Sequence, residues 1–318
     1  MPNRRIAVVT PVLNDWASLE HLLAALGGVA PTIGEVSVLV VDDGSTEAAA
    51  TDKLARLAAG LTGLEIIRLA CNLGHQRAIA VGLAELARRD GLDIVVVMDA
   101  DGEDRPEDIA ALLREHEAHP EAIVVAMRAE RSEDRTFKAL YHVYKAVFRA
   151  STGVTIDFGN FCLIPAPLLT RLVARPEIWN HLAATVIRSR TPLRRLPTAR
   201  GTRYAGRSTM NLVSLVTHGL SGISVFVSEV FVRFLGLSLV MVAACVGVIG
   251  TVSAIRIFTD LAIPGWATTV VGISLVMLLQ LFTMTTALAF VMLSNRMAAP
   301  IMPALHAAYY IRSIDVVA

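Results

Sequence analysis

Towards its C-terminus the 318-residue chain carries two long stretches without a charged residue, Phe234–Ile255 and Trp266–Leu293. Each exceeds the roughly 20 apolar residues a helix needs to cross a bilayer, which excludes a wholly soluble enzyme. Composition agrees: 54% of the residues are hydrophobic and 18% charged, against about 45–50% and about 25% in ordinary soluble domains. The residues before Phe234 hold nearly all the charge and read as a globular domain of ordinary size.

A net charge of +1 hides an uneven distribution. No Asp or Glu occurs between Glu177 and Glu229, while Arg188, Arg190, Arg194, Arg195, Arg200, Arg203 and Arg207 crowd together. Directly before a membrane span, such a segment suits lipid headgroups or a phosphorylated lipid rather than nucleic acid; the alternative is a solvated basic face that obeys the positive-inside rule. Cys71, Cys162 and Cys245 form no CxxC pair, so neither a zinc site nor a disulfide framework is indicated, and a reducing compartment fits. The N-terminal run IAVVTPVL is too short and too polar-flanked for a signal peptide. With the globular domain in the cytosol, Arg233 and Arg296 face inward and the connection Arg256–Gly265 lies outside.

Short β-branched runs, IAVVTPVL, VSVLVVD, LEIIRLA and DIVVVMD, alternate with helically spaced apolar residues over Asp15–Val29, Glu47–Gly60 and Leu73–Arg89. This is the rhythm of a parallel sheet with helices on both faces. Polar residues gather after the strands, at Asn14, Asp42–Ser45, Asn72 and Asp99–Asp104, and ligands of such sheets bind at the carboxyl ends of the strands. A helix is expected over Glu107–His119 and a strand at AIVVAM. The charge-poor stretch Thr209–Phe231 suits a helix lying on the membrane surface.

The strongest chemical signal is VVVMDADGEDRPEDI, in which a buried strand runs into Asp99, Asp101, Glu103 and Asp104. Carboxylates spaced i, i+2 at a strand end can aim oxygens at one hard cation, Mg2+ or Mn2+, leaving coordination positions for diphosphate oxygens. The other reading is a helix start with Asp104 as N-cap and Pro106 in the first turn, and the two are compatible. VVDDGST again follows a buried strand; Asp42 and Asp43 are placed either for a base N–H or ribose hydroxyl, or simply for an Asp-Gly turn.

With TPVLND, VVDDGS, CNLGHQRAIAVGL and DADGEDRPEDI in this order, the chain resembles the family 2 glycosyltransferases, whose nucleotide-sugar domain has the α/β GT-A fold, a Rossmann-like, mainly parallel sheet. With the two spans added, it is similar to the polyprenyl-phosphate group that includes dolichol-phosphate mannose synthases. The resemblance implies a donor site in which Pro11, Asp42 and Asp43 hold base and ribose, Asp99 serves the nucleotide, and Asp101 and Glu103 bind Mg2+ or Mn2+. Glu103 stands where that group has Gln, and His75 where a Lys or Arg follows Asn-x-Gly.

On the acceptor side, the resemblance implies that Arg128, Arg131 and Lys138 grip the lipid phosphate. Arg203, Gly206 and Ser208 match its Arg-x-x-Gly-x-Ser pattern, with Thr209 in place of Lys and Arg207 at hand to supply the charge. Asp157 in DFGNF falls at the Asp preceding a Gly-Asp-Phe, the second Asp being Asn160 here. A phosphate monoester is mostly dianionic at neutral pH, so Asp157 acts either as a base or to orient a sugar hydroxyl or an acceptor-site Arg.

The expected organisation is a cytosolic catalytic domain over 1–208, interfacial helices over 209–232, two membrane helices within 233–295 and a cytosolic tail over 296–318 that folds back under the catalytic domain. The expected protein is a multi-pass inner-membrane enzyme. It moves one sugar, with inversion, from a UDP- or GDP-linked donor to polyprenyl (undecaprenyl) phosphate for a cell-envelope pathway. The alternative is a catalytically impaired binding protein of the same fold. Gly236, Gly247 and Gly250 leave room for a homo-oligomer.

Overall fold

A computed structural model describes residues 4–128, 145–205, 212–259 and 265–318. The chain divides into two compact units, one of Met1–Tyr141, Thr155–Val225 and Pro300–Ala318, the other of His142–Val154 and Phe226–Ala299.

The first unit is organised by an eight-stranded sheet in the order β7-β5-β6-β4-β1-β2-β3-β8. Its strands are β1 (Arg5–Val12), β2 (Glu35–Asp42), β3 (Gly63–Leu69), β4 (Ile94–Val97), β5 (Ile123–Arg128), β6 (Cys162–Pro165), β7 (Leu193–Thr198) and β8 (Ile311–Val316). The pairs β1–β2, β2–β3, β1–β4 and β5–β7 are parallel, whereas β6 runs against both β4 and β5, and β8 against β3. Alternate residues of the central strands enter two separate cores: Val9, Val41, Val95 and Val97 on one face, Val8, Val40, Ile66 and Val96 on the other. Burial on both faces explains why these strands read as continuous apolar runs.

Helices α1 (Trp16–Ile33), α2 (Thr51–Leu57) and α4 (Ile109–Ala118) cover one face, and α3 (His75–Leu86), α5 (Ala166–Val173) and α6 (Leu182–Arg188) the other. Their buried positions, such as Leu19, Leu22, Leu23 and Leu26 of α1, recur at three- and four-residue spacing. Helix α2 begins later than the expected Glu47. The backbone of Glu47 is held in the loop, its carbonyl accepting from the Trp16 indole at 2.9 Å and its N–H donating to Asn14 Oδ1 at 3.1 Å.

Pro11 lies inside β1, a central strand. Val9 C=O accepts from Met98 N on the β4 side and Val12 C=O from Asp43 N on the β2 side. The alternation therefore turns the Pro11 nitrogen towards β4 past Val97, where that strand's ladder has ended, and no ladder hydrogen bond is lost.

The tail forms α10 (Pro303–His306) and strand β8, which completes the sheet edge beside β3. Arg68 ties it down, its Nε donating to Asp315 at 2.6 Å and its Nη1 to Asp42 at 3.3 Å. The Arg68 hydrogen bond holds the Asp315 carboxyl below the usual range. Helix α7 (Leu212–Ser224) exposes Val216 and Leu220, one turn apart.

The second unit is dominated by α8 (Val227–Phe258) and α9 (Trp266–Met297), which pack along each other. Both are long and apolar enough to cross a membrane. Core helices of a soluble protein would hide their large side chains; here Leu239 is 71% and Phe282 69% exposed. Ser238, Cys245, Val252 and Ser274 are buried. At 32 residues each and 1.5 Å per residue, the helices are about 48 Å long. That length exceeds the roughly 30 Å thickness of a bilayer's hydrocarbon layer. Helix α8 starts at Val227, inside the stretch expected to be interfacial, and carries Glu229, Arg233 and Arg256.

Candidate functional site

Strands β1, β2, β3 and β4 run the same way, so Asn14, Asp42–Ser45, Cys71–Gly74 and Asp99–Asp104 all emerge on one edge of the sheet. The strand order reverses between β1 and β4, the position at which open α/β sheets form a ligand crevice. Because β6 is antiparallel, the residues before it, Asp157–Phe161, reach the same edge from the other direction. Strand β7 is parallel to β5, so the chain leaving Thr198 also arrives there.

At the end of β2 the carboxylates brace the turn. Both side-chain oxygens of Asp43 accept backbone N–H groups, from Leu73 at 2.7 Å and Gly74 at 2.9 Å. Asp42 accepts from Ser45 N at 2.9 Å and pairs with Arg68. Burial pushes the Asp43 carboxyl above its ordinary pKa, against the two hydrogen bonds that favour the charged form.

At the end of β4 the chain folds into a short acidic loop. Asp104, 1% exposed, closes it by accepting from Asp99 N at 2.9 Å. This is the position expected to cap the following helix; instead a 3-10 turn at Pro106–Asp108 leads into α4 without a side-chain cap. Asp101 Oδ1 accepts from Glu103 N at 2.9 Å, and its Oδ2 lies 3.4 Å from Arg203 Nη2. Glu103 Oε1 is 2.5 Å from Arg200 Nη2. Burial, together with the charges of Asp99 and Glu103, pushes the Asp101 carboxyl up.

These hard oxygen donors suit a divalent cation, which would relieve the crowding of like charge around Asp101. Among the described residues no group of three or more His, Cys, Asp or Glu side chains is arranged as a complete metal cage. A cation there would complete its shell with ligand oxygens or water.

Sequence reasoning missed a polar chain beside this loop. His75 Nε2 lies 3.3 Å from Asp99 Oδ1 and 2.9 Å from Asn160 Nδ2. Gln76 donates to Asn160 Oδ1 at 2.9 Å and accepts from Leu182 N at 2.7 Å. Desolvation opposes a charge on His75, but Asp99, backed by Asp43 and Asp101, raises its pKa overall. Two of the positions that depart from the resembling pattern, His75 and Asn160, are thus direct neighbours.

The arginine-rich segment, which holds no Asp or Glu of its own, finds carboxylates outside it. Arg188 pairs with Glu177, Arg194 with Glu115, Arg195 with Asp157 at 3.1 Å, Arg200 with Glu103 and Arg203 with Asp101. Arg203 Nε is shielded from solvent and has no hydrogen-bond partner among the described residues. Arg131, Lys138, Ser208 and the side chain of Arg128 lie outside the described residues.

The family model described as glycosyl transferase family 2 matches residues 7–173. Undecaprenyl-phosphate 4-deoxy-4-formamido-L-arabinose transferase of Pseudomonas aeruginosa is 31% identical over 163 residues, 51% of this chain and 46% of that protein. The Klebsiella pneumoniae protein of the same name is 26% identical over 169 residues, 52% of this chain and 49% of its own. The chain spans about half the length of the curated relatives it matches. Glucosyl-3-phosphoglycerate synthase of Mycobacterium tuberculosis shares the fold. Its complex with Mn2+, UDP-glucose and phosphoglyceric acid aligns with a TM-score of 0.53 at 16% identity, covering 71% of this chain and 80% of that one. Its complex with Mg2+ and UDP aligns at 0.51 and 16%, covering 71% and 79%.

Proposed function

Because the chain belongs to glycosyl transferase family 2, we propose that it moves a single sugar, with inversion, from a UDP- or GDP-linked donor to polyprenyl (undecaprenyl) phosphate at the cytosolic face of the inner membrane. The observation that carries this reading is the meeting of Asp101 and Arg203 at one strand end, a carboxylate for a cation beside a guanidinium for a phosphate. Two exposed apolar helices of bilayer length and the lipid-phosphate acceptor in the relatives' names support the membrane acceptor.

In this reading the donor lies over the carboxyl ends of β1, β2 and β4. Pro11 supplies a rigid wall, and Asp42 and Asp43 meet base and ribose with the lone pairs left over from bracing the turn. Asp99 faces the nucleotide with His75 beside it. Asp101 is the protein ligand for Mg2+ or Mn2+, and such an ion would supply positive charge to the departing diphosphate. Arg203 engages a phosphate oxygen through its guanidinium, and Arg128, Arg131, Lys138 and Ser208 complete the acceptor side.

The acceptor needs little deprotonation, since a phosphate monoester has a second pKa near 6. Asp157 therefore works as an orienting group, holding Arg195 rather than removing a proton. Inversion follows from a single displacement with the lipid phosphate held in line behind the anomeric carbon.

Purified protein in detergent is incubated with undecaprenyl phosphate, a panel of UDP- and GDP-sugars, and Mg2+, Mn2+ or EDTA. Cation-dependent appearance of a glycosylated lipid supports the proposal. Donor binding with no product from any sugar would move the chain to the impaired alternative.

A further inference from the structure

Segment 199–205, which follows β7, is docked on the acidic loop far more closely than an ion pair requires. Gly201 N donates to Glu103 O at 2.9 Å and Tyr204 N to Asp101 O at 2.8 Å, so backbone meets backbone at two points. The approach depends on two facing glycines. Gly102 has φ +89°, and a Cβ there would lie 2.8 Å from Thr202 O and from the Tyr204 ring. A Cβ on Gly201 would overlap the Gly102 carbonyl oxygen. Over this docked backbone the side chains pair in register, Arg200 on Glu103 and Arg203 on Asp101.

The two pairs differ. Asp101 meets Arg203 at 3.4 Å, a loose contact, and Arg203 keeps its Nε donor unused among the described residues. Glu103 meets Arg200 at 2.5 Å, with side chains only 15% and 29% exposed. A charge-assisted hydrogen bond between side chains this shielded is a strong tether. It also directs the carboxylate of Glu103 at a guanidinium.

We propose that Glu103 is a positioning residue, a latch that holds segment 199–205 on the acidic loop through Arg200 and so seats Arg203 at Asp101, and that it is not a ligand of the cation. The latch stands on the docking geometry alone; only its consequence, an Arg203 poised for phosphate, rests on the function proposed above.

Two measurements on the full-length protein separate the roles. Amide hydrogen exchange in metal-free protein reports the latch, because the Gly201 and Tyr204 amides are the ones it protects. Glu103→Gln should speed their exchange by about tenfold or more, the charge-reversed pair Glu103→Arg with Arg200→Glu should restore protection, and Gly201→Ala should abolish it sterically. Mn2+ binding, followed by electron paramagnetic resonance with Mn2+ alone, reports the ligand role. Glu103→Gln should leave the affinity within about threefold of wild type, whereas loss of a true ligand weakens it by about tenfold or more.

Arg200→Gln attacks the latch while leaving the carboxylate in place, and provides the test should Glu103→Gln fail to fold: exchange should rise with Mn2+ affinity unchanged. Unchanged exchange in Glu103→Gln and Arg200→Gln, or a large loss of Mn2+ binding in Glu103→Gln, overturns the proposal. Wild-type protein that binds no Mn2+ would remove the cation reading of Asp101 and leave the exchange result to decide the latch.

Discussion

At the end of β2, Asp43 gives both carboxylate oxygens to backbone amides and Asp42 is tied to Ser45 N and Arg68. At the end of β4, Asp101 and Glu103 instead face the guanidinium groups of a segment roughly a hundred residues further along. Both ends are acidic loops that follow a buried parallel strand, and in both a central carboxylate is pushed towards its neutral form, mainly by burial. The partners make the difference. Backbone amides are fixed by the fold, so the first end is chiefly a brace; side-chain cations can be exchanged for a ligand, so the second is the place where charge can be rearranged during a reaction.

The largest expected effect breaks the comparison at its chemical end. Asp101→Ala should cut sugar transfer by about 10²–10³-fold, as removal of a single electrostatic group at a reaction centre does. Its melting temperature should move by less than about 2 °C, because among the described residues the side chain holds only Glu103 N and one loose ion pair. Comparable losses of stability and activity would place Asp101 with the braces.

The bracing end should respond the other way. Asp43→Ala strands two backbone donors and should destabilise the first unit by about 2–4 kcal/mol, measured by denaturant unfolding. Asp43→Asn, which keeps one acceptor, should recover about half of that loss.

A pH profile sharpens the comparison from outside both ends. Burial, helped by His218 and His75, pulls the His181 pKa down to about 3, so the folded ring stays neutral where the unfolded one takes up a proton. Its contribution is complete above the ordinary histidine pKa of about 6.5 and is lost as pH falls, by up to about 1.4 kcal/mol per pH unit. Stability measured between pH 7.5 and 5.5 should fall in wild type, and Asn at position 181, which can still cap the Ala184 amide, should flatten the decline.

The smallest effect concerns an exposed pair. Arg195→Ala should cost well under about 1 kcal/mol of stability, since its partner Asp157 is also solvent-accessible. It should nevertheless raise the requirement for lipid phosphate more than that for donor.

The strand ends were legible because a period-two alternation into two cores leaves an uninterrupted apolar run, and the polar residue that stops the run marks where the strand leaves the sheet. Helix ends were less so. Hydropathy marks where charge resumes, not where backbone hydrogen bonding stops, and α8 therefore continues past Arg233 towards its start and past Ile255 towards its end. The partners of the arginine-rich segment were invisible, because Glu115 comes from an earlier helix and Asp157, Glu103 and Asp101 from earlier loops, and they meet the arginines only after β7 is laid beside β5. The adjacency of His75 and Asn160 was hidden for the same reason, although both stood out as departures from the resembling pattern.

The central claim is that the sugar is delivered to a lipid phosphate. It is tested most directly by mass spectrometry of the reaction products when undecaprenyl phosphate and a soluble phosphate monoester compete for the same nucleotide-sugar in one vessel. The expected product is a glycosylated polyprenyl phosphate that disappears with EDTA; transfer to the soluble acceptor alone, or release of free sugar with no glycolipid, would contradict delivery to the lipid.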